Sequence, residues 1–492
     1  MYVSIVHTLV QRLLLVAFFF GVFIGIGSAE QLVIERKEFE RLVEKVERLE
    51  RQLSNQGSAA IAEKSTVNPS TQIELDVEDN RNRLDEVEKK TLLDKVEVGF
   101  ELRTRVDVID VNSAVDAGGK DVETEDLFSN RFRLNLRSEV TEDLIFQSRL
   151  AVFKLWGESN FDEPFSDIGP RRLSNEDGEL HVEKAYVDWF IPNSPFSLTV
   201  GRIPVAEGPP IELRNNTKRR GTYPALLIDG ESDGIVLNTR LDEYIGLNSS
   251  IFRVVYSKIS QNFQALQGND LDDTRALHVD FETELPGFDD SLFWLSWTRA
   301  FDIQPAPLDV ATSAPSSVGD VEYYNAHLQL MDIMDSGLDL FVSYAASLTD
   351  AGSSGTIAPA GTLAPIPIEL CLLGTNIDGT CGKNRDGHIV YAGFRYELPV
   401  ESVNYPKLGF EFTHASKYWL SGASGEDLIS KTGLLGETYE VYYIQPVNRY
   451  LFFRGGLVFA DENYNNPGAL FGSPQKTDEE IINYYLLMDV IY

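Results

Sequence analysis

The 492-residue chain holds 76 acidic residues against 43 lysines and arginines, which gives a formal net charge of -33. Nucleic-acid binding needs a basic face, so this balance excludes nucleic acid as a partner. Beyond the N-terminal thirty residues, no stretch is long and apolar enough to span a membrane as a helix.

The N-terminus predicts a secretory signal peptide over residues 1–29. Arg12 precedes an apolar run from Leu13 to Ile26, and Gly27-Ser28-Ala29 supplies the small residues that cleavage requires. We therefore expect the mature chain to begin at Glu30. An uncleaved anchor is the alternative, because the run is about as long as the shortest spanning helices.

Residues 30–53 predict a coiled-coil stalk. An isolated helix with so narrow an apolar seam is only marginally stable, so we expect the helices to self-associate. Residues 54–95 are expected to form a linker with a second, weaker helical segment. Such a stalk could serve trimerisation or contact with the cell wall. The seam consists of Leu32, Phe39, Val46 and Leu53, with Leu42 and Leu49 at the interleaved position.

Runs of about ten residues alternate apolar and polar from Val96 to Tyr492, the pattern of a transmembrane β-barrel. A soluble sandwich strand also alternates, so the lengths of the connections must decide. Links after even-numbered strands are short turns, whereas those after odd-numbered strands run to roughly fifteen to forty residues. Short turns on one rim and long loops on the other favour an outer-membrane barrel.

The predicted fold class is an all-β transmembrane antiparallel barrel of about 16 strands over residues 96–492, preceded by the short helical stalk. The candidate strands are residues 96–108, 130–140, 144–156, 181–191, 196–203, 233–241, 248–258, 274–285, 291–300, 320–331, 337–348, 387–398, 407–415, 437–445, 449–460 and 481–492. The apolar alternate residues that precede Tyr492 resemble the C-terminal assembly signal of outer-membrane barrels.

Six arginines occupy polar positions in the first three predicted strands: Arg103, Arg105, Arg131, Arg133, Arg137 and Arg149. Facing lipid, each would cost several kcal/mol near the midplane, so we expect them to line the lumen. The loop acids Glu207, Glu212 and Asp229 would oppose them and set a transverse field that governs ion selectivity. The alternative is a structural network with wall acids such as Glu101, in which each pair contributes little.

The most distinctive segment is the third long loop, at about residues 203–232. Four prolines and several glycines shape its backbone. We expect it to fold inward and constrict the barrel, with an ordered external hairpin as the alternative. Its charged residues are Glu207, Glu212, Arg214, Lys218, Arg219 and Arg220.

Two stretches of this loop region carry a resemblance: Gly201 to Pro210 is GRIPVAEGPP, and Gly221 to Pro224 is GTYP. Here the sequence resembles an uncharacterised family of predicted bacterial outer-membrane porins with an N-terminal coiled-coil leader. The resemblance covers most of residues 96–492. The architecture is also similar to that of the sixteen-stranded general porins in strand count and loop position. That similarity implies a third loop that folds into the barrel and narrows it.

Cys371 and Cys381 lie in the longest loop, and a local disulfide is the expected state in an exported protein. A metal site would need closer spacing and more ligands. The histidines are scattered over different predicted strands, in no Ser-His-carboxylate or metal spacing. We therefore expect no enzyme activity, no metal and no cofactor.

Aromatic residues near the strand ends are expected to form interfacial girdles. An aromatic sugar path inside a pore is the alternative. The set is Trp156, Trp189, Phe190, Phe196, Trp294, Trp297, Tyr323 and Tyr450.

The sequence thus predicts a porin-like channel in outer-membrane lipid for passive diffusion of small hydrophilic solutes or ions. We expect a homotrimer with the stalk in the periplasm. A structural anchor, tethered to the cell wall through the coiled coil, is one alternative. A sheath around an electron-carrying cytochrome is another, but it would need a wider barrel than roughly 400 residues provide.

Overall fold

The computed structural model describes residues 96–115, 121–157, 180–261, 272–304, 317–352, 370–375, 379–423, 428–464 and 472–492. The predicted signal peptide, coiled-coil stalk and linker lie outside these residues. Within them, no helix has the length and apolar character needed to cross a membrane.

Sixteen strands of the described residues close into one antiparallel barrel, and the last strand pairs with the first. The predicted antiparallel fold and strand number are confirmed. Two further strands, β12 and β13, form a separate hairpin. Two short helices, α1 (Ile211–Asn215) and α2 (Asp242–Ile245), also occur in the described part of the chain. The strands are β1 Val96–Val115, β2 Asp121–Thr141, β3 Leu144–Leu155, β4 Leu180–Phe190, β5 Phe196–Ile203, β6 Ser232–Arg240, β7 Ile251–Lys258, β8 Arg275–Thr283, β9 Leu292–Phe301, β10 Gly319–Leu330, β11 Leu338–Ala351, β12 Leu370–Cys371, β13 Gly374–Thr375, β14 Asp386–Glu397, β15 Lys407–Ala415, β16 Leu435–Pro446, β17 Leu451–Tyr464 and β18 Lys476–Ile491.

The two-residue alternation of the strands separates an apolar outer face from a polar inner face. In β1, Val98, Phe100 and Leu102 are 55%, 40% and 37% exposed on the outside. Glu101 and Arg103, which alternate with them, are 5% and 6% exposed on the inside. Comparable exposed apolar side chains occur on strands all around the barrel. This apolar outer surface is suited to contact with lipid hydrocarbon and not with water.

Two of the long links are shorter than the sequence predicts. β1 and β2 stay paired as far as Val115 and Asp121, which leaves only residues 116–120 between them. The register shifts twice beyond Val108, although backbone pairing continues. Likewise β17 and β18 leave only residues 465–475.

On the inner face, in the half of the barrel nearer the short turns, aromatic rings lie across glycines of the neighbouring strand. A Cβ atom added at Gly393, Gly409 or Gly456 would come within 2.8 Å of the facing ring. The glycines therefore make room for inward aromatic side chains that thicken the wall. The pairs are Phe341 with Gly393, Tyr442 with Gly409, and Tyr485 with Gly456.

Candidate functional site

Loop L3, residues 204–231 between β5 and β6, lies across the lumen. All five residues of its helix α1 are buried. The carbonyls at the end of α1 accept hydrogen bonds from arginines of two wall strands, Arg395 to Leu213 at 2.8 Å and Arg454 to Arg214 at 2.7 Å. The bond to Arg214 satisfies a carbonyl that the helix end leaves unpaired, and both bonds hold the loop inside the barrel.

L3 can fold this tightly because two of its glycines allow close approach of the backbone. A Cβ atom at Gly208 would lie 1.7 Å from the carbonyl oxygen of Tyr223. One at Gly221 would lie 2.5 Å from the carbonyl oxygen of Ala206. The GRIPVAEGPP and GTYP segments are therefore the two sides of one compact turn, and only glycine fits where they touch.

Glu207 of L3 meets the wall arginines. Its backbone lies in the left-handed region at φ 57°, and its N–H donates to Asp229 Oδ1 at 2.7 Å. Its carboxylate lies 2.6 Å from Arg133, 3.2 Å from Arg131 and 3.5 Å from Arg149. Asp229 thus holds the backbone of Glu207 in position beside the arginines.

Glu183 completes this site through an irregularity in β4. The register between β3 and β4 shifts at Arg149, so Glu183 and Lys184 can both turn inward although they are consecutive. Glu183 then lies 2.7 Å from Arg133. Glu183 is not among the residues predicted from the sequence, and a slip in the alternation of LHVEKAYVD is the signal that indicates it.

We call the resulting group the arginine–glutamate cluster. Arg220 of L3 joins it by an ion pair to Glu101 at 2.5 Å. The cluster consists of four cations and three anions, all at most 13% exposed in their side chains: Arg131, Arg133, Arg149, Arg220, Glu101, Glu183 and Glu207. Removing one partner from such a buried network typically costs about 3–5 kcal/mol.

The two acids of L3 that were expected to act together have different environments. Burial alone would raise the pKa of Glu207, but Arg133, Arg131 and further arginines of the cluster hold it well below its ordinary value. Burial raises the pKa of Glu212 instead. Glu212 accepts a hydrogen bond from Gln329 of β10 at 2.9 Å, because α1 turns it away from β2 and β3. The structure therefore places Glu212 beside β10 and Glu207 beside the arginines of β2.

Arg103 and Arg105 lie on the inner wall but outside the cluster. Arg103 makes an ion pair with Asp489 of β18 at 2.7 Å and donates to Asn215 of α1 at 2.9 Å. Arg105 pairs with Asp107 at 2.6 Å on its own strand. Both charges are thus compensated locally.

Arg137 lies toward the short-turn rim, away from L3. It is 36% exposed in its side chain and pairs with Glu97 at 3.3 Å and Glu139 at 2.7 Å. For this residue the structure matches the alternative of a wall network and not a position at a constriction.

A second loop reaches the lumen from the long-loop rim. Loop L7, residues 416–434 between β15 and β16, places Lys431 in contact with both Glu411 and Glu440. Arg214 of L3 lies 3.6 and 3.7 Å from the same two carboxylates. The two loops therefore meet at one pair of wall acids.

Two aromatic residues expected in the outer girdles face inward instead. Trp294 is fully buried, and Arg253 lies 5.1 Å above its ring. Tyr323 packs against Trp419 of L7 with ring centroids 6.2 Å apart. Both residues occupy inward-facing positions of β9 and β10. Proximity to a strand end does not determine whether a side chain points toward lipid or toward the lumen, because successive side chains alternate between the two faces.

Apolar clusters fill much of the space between these loops and the wall. In one, Leu226 of L3, Leu372 of the β12–β13 hairpin and Trp419 of L7 pack against inner-face residues of β9 to β11 and β14. In another, Leu428 of L7 packs against Phe153 of β3 and further inner-face residues. The lumen is thus partly filled with protein.

Cys371 and Cys381 form a disulfide with an S–S distance of 2.01 Å. The bond closes the segment that contains the β12–β13 hairpin. Cys371 is only 2% exposed, so the bridge is more sheltered than a bond on a free external loop.

We predict that mass spectrometry of an unreduced digest will show the Cys371 and Cys381 peptides linked. The expectation follows from the bonded geometry and from the oxidising environment of an exported chain. Two free thiols in protein isolated from membranes would contradict it.

A closed sixteen-stranded antiparallel barrel with an apolar outside and a charged inside defines a β-barrel of the outer-membrane type. The chain belongs to the family described as "Protein of unknown function (DUF3373)", whose model matches residues 121–491. This agrees with the resemblance to an uncharacterised family that the GRIPVAEGPP and GTYP segments indicated. No curated protein matches the chain.

Several solved structures are similar to the chain. The high-pH structure of Pseudomonas putida OprB is 13% identical, with 82% of this chain and 96% of that chain covered and a TM-score of 0.48. The anion-selective porin from Comamonas acidovorans is 10% identical, with 81% and 100% covered and a TM-score of 0.43. In vitro folded OmpT of Vibrio cholerae is 11% identical, with 81% and 97% covered and a TM-score of 0.42.

Proposed function

We propose that the chain is an outer-membrane channel for passive diffusion of small hydrophilic solutes or ions, narrowed by L3. The observation that carries this proposal is the charged inner wall of a sixteen-stranded barrel, ordered around a loop that crosses the lumen. A barrel of this strand number is wide enough for an aqueous path beside such a loop. Pore radius and lining charge are then the working parts, and no cofactor is needed.

The arginine–glutamate cluster supplies the charge beside L3. Its four arginines and three glutamates leave one excess positive charge, although the whole chain carries -33. Charges at the open mouths are screened over about 10 Å at 0.1 M salt, whereas cluster charges act at a few ångströms. The cluster therefore favours anions despite the acidic composition.

Single-channel recording of the purified chain in planar bilayers tests this function. We expect discrete conductance steps and a reversal potential of anion-selective sign in a salt gradient. A folded barrel that produces no steps at any applied voltage would contradict the proposal.

One observation favours a second candidate, a closed barrel that anchors the chain. The apolar clusters join L3, L7 and the wall, and Arg133 has no exposed surface. In that case the predicted coiled coil at residues 30–53 would carry the function through contact with the cell wall. The same recordings separate the candidates, and cross-linking of the full chain with and without residues 30–53 tests the homotrimer.

A further inference from the structure

A cavity of about 330 Å³ lies between the end of α1 and the short turn that joins β16 to β17. Residues 216–220 of L3 form one side, and residues 448–452 together with Ile491 form the other. Its volume falls within the range of small-molecule sites, which begins at about 300 Å³. Its place at a short turn sets it at the short-turn mouth of the barrel.

The charge of this cavity is opposite to that of the chain. Lys218, Arg219, Arg220 and Arg449 line it, and none of its lining residues is acidic. Arg219 and Arg220 pair with acids outside the cavity. Lys218 and Arg449 form no ion pair with any described residue, so their charges remain available to a ligand.

The uncharged polar groups of the cavity are also arranged as donors. Asn216 Oδ1 already accepts from Lys407 at 2.9 Å. Asn448 Oδ1 accepts from the backbone N–H groups of Tyr450 at 2.8 Å and Leu451 at 3.1 Å. Each amide therefore has its NH₂ group left to offer.

A buried hydroxyl adds to these donors. Thr217 Oγ1 is buried and makes no hydrogen bond within the described part of the chain. Because buried polar atoms are normally paired, this hydroxyl points to a missing partner. An anion would provide acceptor oxygens for the hydroxyl and for both amides.

We propose that this cavity binds a small organic anion that carries carboxylate or phosphate groups. Cations are repelled by the basic side chains, and a neutral solute would leave the charges of Lys218 and Arg449 uncompensated. Charge-assisted hydrogen bonds from guanidinium and ammonium groups are the strong interactions available to carboxylate and phosphate. Binding at this site does not depend on the proposed channel function. Only its consequence does, which is the loading of anionic solutes at the short-turn mouth of the barrel.

Isothermal titration of the detergent-solubilised full chain with citrate and with inorganic phosphate, at low salt, tests the site. We expect saturable binding of at least one probe, weakened by added salt. The double variant Lys218→Ala/Arg449→Ala should bind that probe at least about tenfold more weakly, because two unpaired charges are lost. The two probes distinguish carboxylate from phosphate recognition.

The matched control is Arg240→Ala/Lys383→Ala, which removes the same charge from exposed positions outside the cavity. It should change the affinity less than about twofold. Absence of saturable binding by either probe, or an equal loss in both double variants, would overturn the site. Binding in detergent needs no conductance, so a chain that binds citrate but does not conduct would overturn the channel alone.

Discussion

Replacing Arg131 and Arg133 together by Ala is expected to shift the channel toward cations. The cluster would change from four cations and three anions to two cations and three anions, so its net charge would reverse. Glu207 would also lose its two shortest ion-pair contacts, at 2.6 and 3.2 Å. Reversal potentials in a salt gradient measure the shift.

The reverse shift is expected for Glu207→Gln, which removes the central anion of the cluster. Glu212→Gln is its matched control, since Glu212 contacts Gln329 and lies outside the cluster. Arg137→Ala is the control for the arginine variant, because Arg137 lies half exposed near the rim. The hypothesis fails if the Arg131/Arg133 variant keeps an unchanged reversal potential with the conductance of an intact pore.

Gly208→Ala is expected to expel or disorder L3 and to raise the single-channel conductance. The new methyl group would lie 1.7 Å from the backbone oxygen of Tyr223, far inside contact distance. Backbone atoms of a buried turn cannot rotate away as a side-chain end can, so the two sides of L3 must separate. Limited proteolysis of the solubilised protein should then cut within L3.

Gly246→Ala is the control for this substitution. Gly246 has φ 69° in the turn after α2, and no atom lies within 4 Å of its added Cβ position. We expect only the ordinary loss of about 1 kcal/mol for a side chain in the left-handed region. Equal conductance and protease resistance in both variants would show that the Gly208 contact does not hold L3 in place.

The positions of the strands follow from the sequence alone. Alternation of apolar and polar residues with a period of two is a local property of each strand. Every strand of the barrel repeats it, because one face contacts lipid and the other faces the polar interior. Candidate strands from 96–108 to 481–492 therefore match the barrel, apart from the longer β1, β2, β17 and β18. The same rule assigned Arg131 and Arg133 to the polar face.

Which groups meet inside the barrel depends on the tertiary structure. Glu183 enters the cluster through a local register shift, and Glu212 leaves it because α1 turns. Arg214 reaches Glu411 and Glu440 from a loop some two hundred residues earlier in the chain. These contacts depend on the path that a loop takes across the lumen. No periodic pattern in the sequence encodes that path. They are fixed by ion pairs and apolar packing between segments that are neighbours only after the barrel closes.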